Sequence, residues 1–164
     1  MHRRAALLSL AALANLTGCG FALRKEPVLP FQSLALVGFE PGSPLAAALR
    51  RQVQHTPVRL EEDASRAQVV IEALREARDR SVVASTAAGQ VREWELRLYF
   101  DYWLRTPSGE LLAPKVELRL TRDLNFTETQ ALAKEQEAGL LYSSMQSDVV
   151  AQVMRRLAAV RLPG

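Results

Sequence analysis

Residues able to build disulfides or transition-metal sites are nearly missing from this 164-residue chain, which holds one cysteine, Cys19, and two histidines, His2 and His55. A lone cysteine cannot close an intramolecular disulfide, and a multi-histidine metal site or a histidine-based triad would have to rest on His55. His55 itself falls at the end of a helical stretch, where capping free carbonyls is its ordinary role. No glycine-rich phosphate loop is present, and Gly89-Gln90 reads as a turn entering a strand. Nor is there a block of one charge sign: 21 Lys and Arg alternate with 18 Asp and Glu, which gives nucleic acid no basic stripe to follow. Glu93 and Glu95 share a strand face and are of the type that does acid and base work, yet Arg92, Arg97 and Arg119 nearby point to cross-strand charge pairing. Catalysis, a metal and a nucleic-acid partner are therefore not expected. A binding or structural role is left.

What is present begins at the N-terminus. His2, Arg3 and Arg4 precede an apolar run from Ala5 to Leu16, broken only by Ser9 and Asn15, which is the layout of a secretory signal. A helix of that length reaches about 18 Å, well short of the roughly 30 Å hydrocarbon core, so a transmembrane anchor is not expected. The run ends in Leu16-Thr17-Gly18-Cys19, which resembles the bacterial lipobox, whose cysteine is alkylated by a diacylglyceryl group and becomes the new N-terminus. Residues 1–18 are thus expected to be a signal peptide and Cys19 the lipidated residue, with no cofactor beyond that covalent lipid. Gly20 stands where an Asp typically retains lipoproteins in the inner membrane, so the outer membrane is the expected destination. Removing residues 1–18 leaves 146 residues, enough for one domain with a real core. Arg3 and Arg4 leave with the signal, so 19 Lys and Arg then face 18 Asp and Glu, a net charge of +1.

Residues 19–32 read as the lipidated N-terminus and an extended tether, since Pro27 and Pro30 interrupt it and no period appears. Residues 33–164 read as a single α+β domain. Leu34 to Val37 is a short apolar run suited to a buried strand. Ser43-Pro44 is an N-cap followed by a first-turn proline, and Leu45, Leu49 and Val53 recur on one helical face. Ala67, Val69, Ile71 and Ala73 alternate with mostly polar residues, although Val70 and Leu74 interrupt them. Trp94, Leu96, Leu98, Phe100, Tyr102 and Leu104 take every even position of residues 91–105, and Leu112, Val116, Leu118, Leu120, Leu124 and Phe126 repeat the pattern. Thr106-Pro107-Ser108-Gly109 between the two runs predicts a long antiparallel hairpin. Thr127 to Gln130 fits a capping box before a helix reaching about Val160, with Leu141, Met145, Val149, Val153, Leu157 and Val160 as its buried stripe and a break possible near Gly139. The order predicts a two-layer sandwich: a mixed four-stranded sheet with both helices packed on one face.

Several short pieces, taken together, resemble the LPS-assembly lipoprotein LptE family. They are Leu16-Thr17-Gly18-Cys19-Gly20-Phe21-Ala22-Leu23-Arg24, then Gly89-Gln90 leading to Glu93-Trp94-Glu95-Leu96, then Arg122-Asp123, and Ala131-Leu132-Ala133-Lys134-Glu135. They keep the family's order and spacing. The resemblance implies a non-catalytic partner of the β-barrel protein LptD, lodged in its lumen as a plug, assisting its assembly and the insertion of lipopolysaccharide into the outer leaflet. It also implies lipopolysaccharide contact at Lys134, which is equally open to being a solvated first-turn lysine. The family's second basic residue, in the loop before the Gly-Gln turn, is replaced here by Thr86, Ala87 and Ala88. A free-standing periplasmic lipid- or envelope-binding lipoprotein that shares only the anchor is the alternative.

The hairpin suggests where a substitute cation would come from. If Pro107-Ser108-Gly109 is a three-residue loop, Thr106 pairs with Glu110 and Arg97 falls opposite Arg119. Two like charges so placed need an anion beside them. Diagonal Glu95 and Glu117 supply one on the plainer reading. On the sharper reading Arg97, Arg119 and Lys134 accept lipid A phosphates, for which the arginine fork is suited.

Overall fold

The computed structural model describes residues 28–126 and 131–163. The signal, Cys19, most of the tether and the capping segment at residues 127–130 lie outside the described residues. The elements are β1 (Ser33–Val37), α1 (Pro44–Gln54), β2 (Arg59–Glu61), a 3-10 turn (Ala64–Arg66), β3 (Val69–Ser85), β4 (Val91–Arg105), β5 (Val116–Asn125) and α2 (Ala131–Ala158). They form a five-stranded mixed sheet in the order β2-β1-β3-β4-β5. β1 runs parallel to both of its neighbours, and β3, β4 and β5 are antiparallel. The sheet has one strand more than the sequence pattern suggested. β2 is three residues with a single apolar side chain, Leu60, and so has no period to read; its pairing with Ser33–Ala35 makes it a strand.

Local chemistry accounts for the helices. Ser43 accepts a 2.8 Å hydrogen bond from the Ala46 amide at the start of α1, and Leu45, Leu49 and Val53 are buried. α2 continues unbroken through Gly139 and buries Ala138, Met145, Val149, Val150, Val153, Met154 and Leu157. Its 28 residues extend about 42 Å, which lets one helix lie along β4 and β5. In the core beneath the helices, Phe100 stacks on Tyr102 and on Phe39, with ring centroids 4.8 and 5.7 Å apart.

β3 departs most from the sequence pattern, running well past the alternating residues to Ser85. Its partner on β4 changes from Ala73↔Tyr102 to Arg75↔Asp101, so Leu74 is an extra residue, a β-bulge. Before the bulge, Val69, Ile71 and Ala73 face the helices, while Val70 packs with Ala35 and Ala67 in a small cluster on the other face. Beyond it the alternation inverts. Glu76, Arg78 and Arg80 lie opposite Phe100, Leu98 and Leu96 and therefore share the helix side. Gly38, with φ of +76°, abuts this point: an added Cβ would collide with the Ala73 carbonyl oxygen.

The β4–β5 turn closes as the sequence suggested, the Thr106 amide donating to the Glu110 carbonyl at 2.8 Å. Leu112–Lys115 then insert two further residues before the ladder resumes at Tyr102↔Val116. A shift of two keeps Val116, Leu118 and Leu124 in the core but moves every partner. Arg97 therefore faces Thr121, and Arg119 faces Tyr99. The expected Arg97–Arg119 opposition does not occur. Tyr99, at an odd position on the outer face, is only 9 % exposed, with the guanidiniums of Arg75 and Arg119 4.1 and 4.9 Å from its ring centre.

Leu98→Ala or Leu118→Ala should each cost about 2–5 kcal/mol in urea unfolding, and Tyr99→Ala should also be costly despite its odd position. Thr121→Ala, exposed beside it, should stay within about 0.5 kcal/mol; equal losses at Thr121 and Leu118 would show the faces to be wrongly assigned.

The Tyr102 hydroxyl is buried without a hydrogen-bond partner among the described residues, and burial pushes its pKa from 10.0 up to about 12. Unfolding frees it to ionise near 10, so stability should be full below that pH and fall as the pH rises toward 12. Tyr102→Phe should unfold like the parent or slightly later at neutral pH and lack that part of the alkaline fall; an unchanged alkaline profile would place the titration elsewhere.

Candidate functional site

The inverted half of β3 sets a row of charged side chains under α2, and each finds a partner. Glu76 accepts from the Ser43 hydroxyl at 2.6 Å, which ties the sheet to the start of α1. Arg78 donates to Gln146 at 3.0 Å and lies 5.1 Å from the Tyr142 ring centre. The Tyr142 hydroxyl in turn donates to the Asp79 carbonyl at 2.7 Å. Arg80 reaches the first turns of α2, where Glu135 pairs with it at 2.6 Å, and it also lies 5.1 Å from the Trp94 ring centre.

Lys134, the neighbour of Glu135, pairs with Glu137 at 2.8 Å, and its side chain is only 18 % exposed. Trp94 meets Phe126 edge-on, with centroids 6.2 Å apart. Val82, Val83 and Leu132 are exposed at the same end of the domain. The turn there is closed by the Gly89 amide on the Thr86 carbonyl at 2.9 Å, with Gly89 at φ +79°. This corner combines cations, an aromatic platform and exposed apolar side chains, the surface chemistry that an amphipathic anion requires.

Arg97 and Arg119 are elsewhere, on the outer face of the sheet. Arg97 pairs with Glu95 and lies 3.6 Å from Asp79. The Glu95 hydrogen bond is the main reason its pKa is held above the ordinary arginine value. Arg119 is placed over Tyr99 and, among the described residues, has no carboxylate within 4.0 Å. The sheet therefore separates Lys134 from both arginines, and the three do not form one cluster. Arg80 and Glu135 were not singled out from the sequence, because the Leu74 bulge reverses the face that simple alternation assigns to Arg80. Among the described residues, no three of His, Cys, Asp and Glu gather as metal ligands, and no helix is long and apolar enough to cross a membrane.

The fold and these surfaces define a two-layer α+β domain whose open faces carry charges, many of them set in pairs. The same fold occurs in lipoprotein B of Nitrosomonas europaea, solved by NMR, at a TM-score of 0.72 and 31 % identity over 85 % of this chain and 91 % of that one. A minor lipoprotein of Acinetobacter baumannii shares the fold at a TM-score of 0.66 and 21 % identity, covering 82 % of this chain and 96 % of that one. The chain belongs to the LptE family, described as lipopolysaccharide-assembly proteins, whose sequence profile matches residues 31–157. Among its relatives, the LPS-assembly lipoprotein LptE of Pectobacterium atrosepticum is 27 % identical over 162 residues, 97 % of this chain and 87 % of that protein. That of Yersinia enterocolitica is 28 % identical over 157 residues, 94 % of this chain and 74 % of the relative.

Proposed function

We propose that this protein is an outer-membrane lipoprotein, anchored by lipid on Cys19, that seats in the lumen of the LptD barrel, assists its assembly and helps place lipopolysaccharide in the outer leaflet. The observation that carries this reading, beside family membership, is the outer face of the sheet. Arg75, Asp79, Glu95, Arg97, Asp101 and Glu117 form a mixed-charge surface there that stays open to solvent or half-buried. Such a face suits the polar interior of a barrel and would be rejected by hydrocarbon.

Lipopolysaccharide is assigned to the other side of the sheet, at Lys134 and Arg80 beside Trp94. There Arg80 takes the part of the cation missing from the Thr86–Ala88 loop. Arg97 already has Glu95 and Asp79 around it, which leaves Arg119, with Arg75 beside it, as the competing phosphate acceptor.

Two measurements test the reading. Cells depleted of the protein should lose mature LptD, and tagged protein should co-purify with the barrel; unaffected LptD and no co-purification would favour a free-standing envelope lipoprotein. Purified protein carrying Lys134→Ala with Arg80→Ala should bind lipopolysaccharide about 10- to 150-fold more weakly, as loss of charge-assisted contacts worth about 1.5–3 kcal/mol requires. Arg97→Ala with Arg119→Ala should bind nearly as the parent does. The reverse pattern would move the site to the outer face.

A further inference from the structure

The described chain begins at one end of the sheet, and that end has a charge character of its own. Ser33 pairs with Arg59, Leu34 with Val69, Val70 with Arg105 and Tyr102 with Val116. The starts of β1, β2, β3 and β5 and the end of β4 therefore lie side by side. α1 stops a few residues before Arg59. α2 ends there too, because Arg156, Ala159 and Val160 wall an open groove of about 440 Å³ together with Leu104, Leu112 and Val116.

Five exposed arginines lie toward this end: Arg51, Arg59, Arg155, Arg156 and Arg161. Among the described residues none has a carboxylate within 4.0 Å. The carboxylates of the same end are mostly taken: Glu61 by Arg66, Glu72 by Arg105 and Glu117 by Lys115. Glu62, Asp63 and Glu110 remain. At the opposite end, Arg80, Arg122 and Lys134 are each paired with a carboxylate, and Arg92 is the exception. The helix dipole accounts for Arg51 in the last turn of α1 and for Arg155 and Arg156 in that of α2, but not for Arg59 or Arg161. Val28 and Leu111 add exposed apolar side chains, 86 and 52 % exposed.

We propose that this end docks on an anionic phospholipid surface, the leaflet that holds the lipid on Cys19, while the lipoprotein is not yet seated in a barrel. The proposal rests on the anchored reading given above. The nine steps from Cys19 to Val28 reach about 30 Å at full extension, so the anchor brings this end of the domain within reach of the headgroups. Clustered arginines are attracted to an anionic surface within about a Debye length, and apolar side chains among them enter the interface. β3, with 17 residues at about 3.3 Å each, then holds the Thr86–Gly89 turn and Lys134 away from the bilayer, toward an incoming partner.

The mature lipidated protein allows a direct test, because Cys19, the chain's one cysteine, is alkylated in it and an introduced thiol is unique. Leu111→Cys and Val83→Cys, at opposite ends, each carry a fluorophore. The proteins are placed in phosphatidylcholine vesicles with or without phosphatidylglycerol, and quenching by headgroup spin-labelled lipid is read. Several-fold stronger quenching at Leu111→Cys than at Val83→Cys is expected in the anionic vesicles only. It should be lost in Arg155→Glu/Arg156→Glu/Arg161→Glu, which stays anchored and keeps its circular dichroism. Equal quenching at both ends, or quenching that survives neutral vesicles and charge reversal, overturns the proposal. An intact mass without the diacylglyceryl group overturns the anchored reading instead. Sedimentation of that protein with the two vesicle types then decides the docking: binding to anionic vesicles alone supports it, and no binding ends it.

Discussion

One extra residue in β3 governs the rest of the domain. Leu74 bulges where Gly38 crosses close to the Ala73 carbonyl, and only a glycine leaves room for that approach. The inversion beyond the bulge turns Glu76, Arg78 and Arg80 toward the helices. Both helices are then held through polar groups as well as through the core. Ser43 caps α1 and donates to Glu76, while Gln146 donates to the Pro44 carbonyl at 2.9 Å and accepts from Arg78. The bulge therefore turns the helix side of β3 from apolar to charged, while β4 and β5 beside it keep Leu96, Leu98, Phe100 and Leu118 buried in the core.

The change has energetic consequences. Around Leu34, Leu49, Ile71, Leu104, Met145 and Leu157, all at most 1 % exposed, each buried aliphatic side chain contributes about 1.5–3 kcal/mol. The charged pairs between sheet and helix, such as Arg80–Glu135 and Arg122–Asp148, are about half exposed on both sides and contribute roughly 0–1 kcal/mol each. They fix orientation more than they stabilise. A surface of that kind can exchange partners, because an incoming phosphate replaces a carboxylate beside an arginine at little net cost.

The sequence made the core legible wherever one period held without interruption. The even positions of β4 from Leu96 to Leu104 and the stripe of α2 from Met145 to Leu157 are buried as their spacing required, with Trp94 and Leu141 half-buried at the margin, and the Ser43-Pro44 start of α1 is where cap chemistry placed it. What escaped depended on pairing with distant strands. β2 exists only through its contact with β1, the Leu112–Lys115 insertion displaces the hairpin partners by two, and the Leu74 bulge hides Arg80 from any reading by alternation. Lys134 was visible through its family motif, whereas its separation from Arg97 and Arg119 required knowing which face each occupies.

Deleting Leu74 and following amide hydrogen exchange residue by residue addresses the bulge directly. The account predicts that stability falls by more than about 2 kcal/mol, and that the amides of residues 76–82, 94–100 and the first half of α2 lose protection. The amides of β1, the start of β3 and the end of α2 should keep theirs. Unchanged stability with an unaltered exchange pattern would contradict the claim that this one residue decides which groups the sheet presents to the helices.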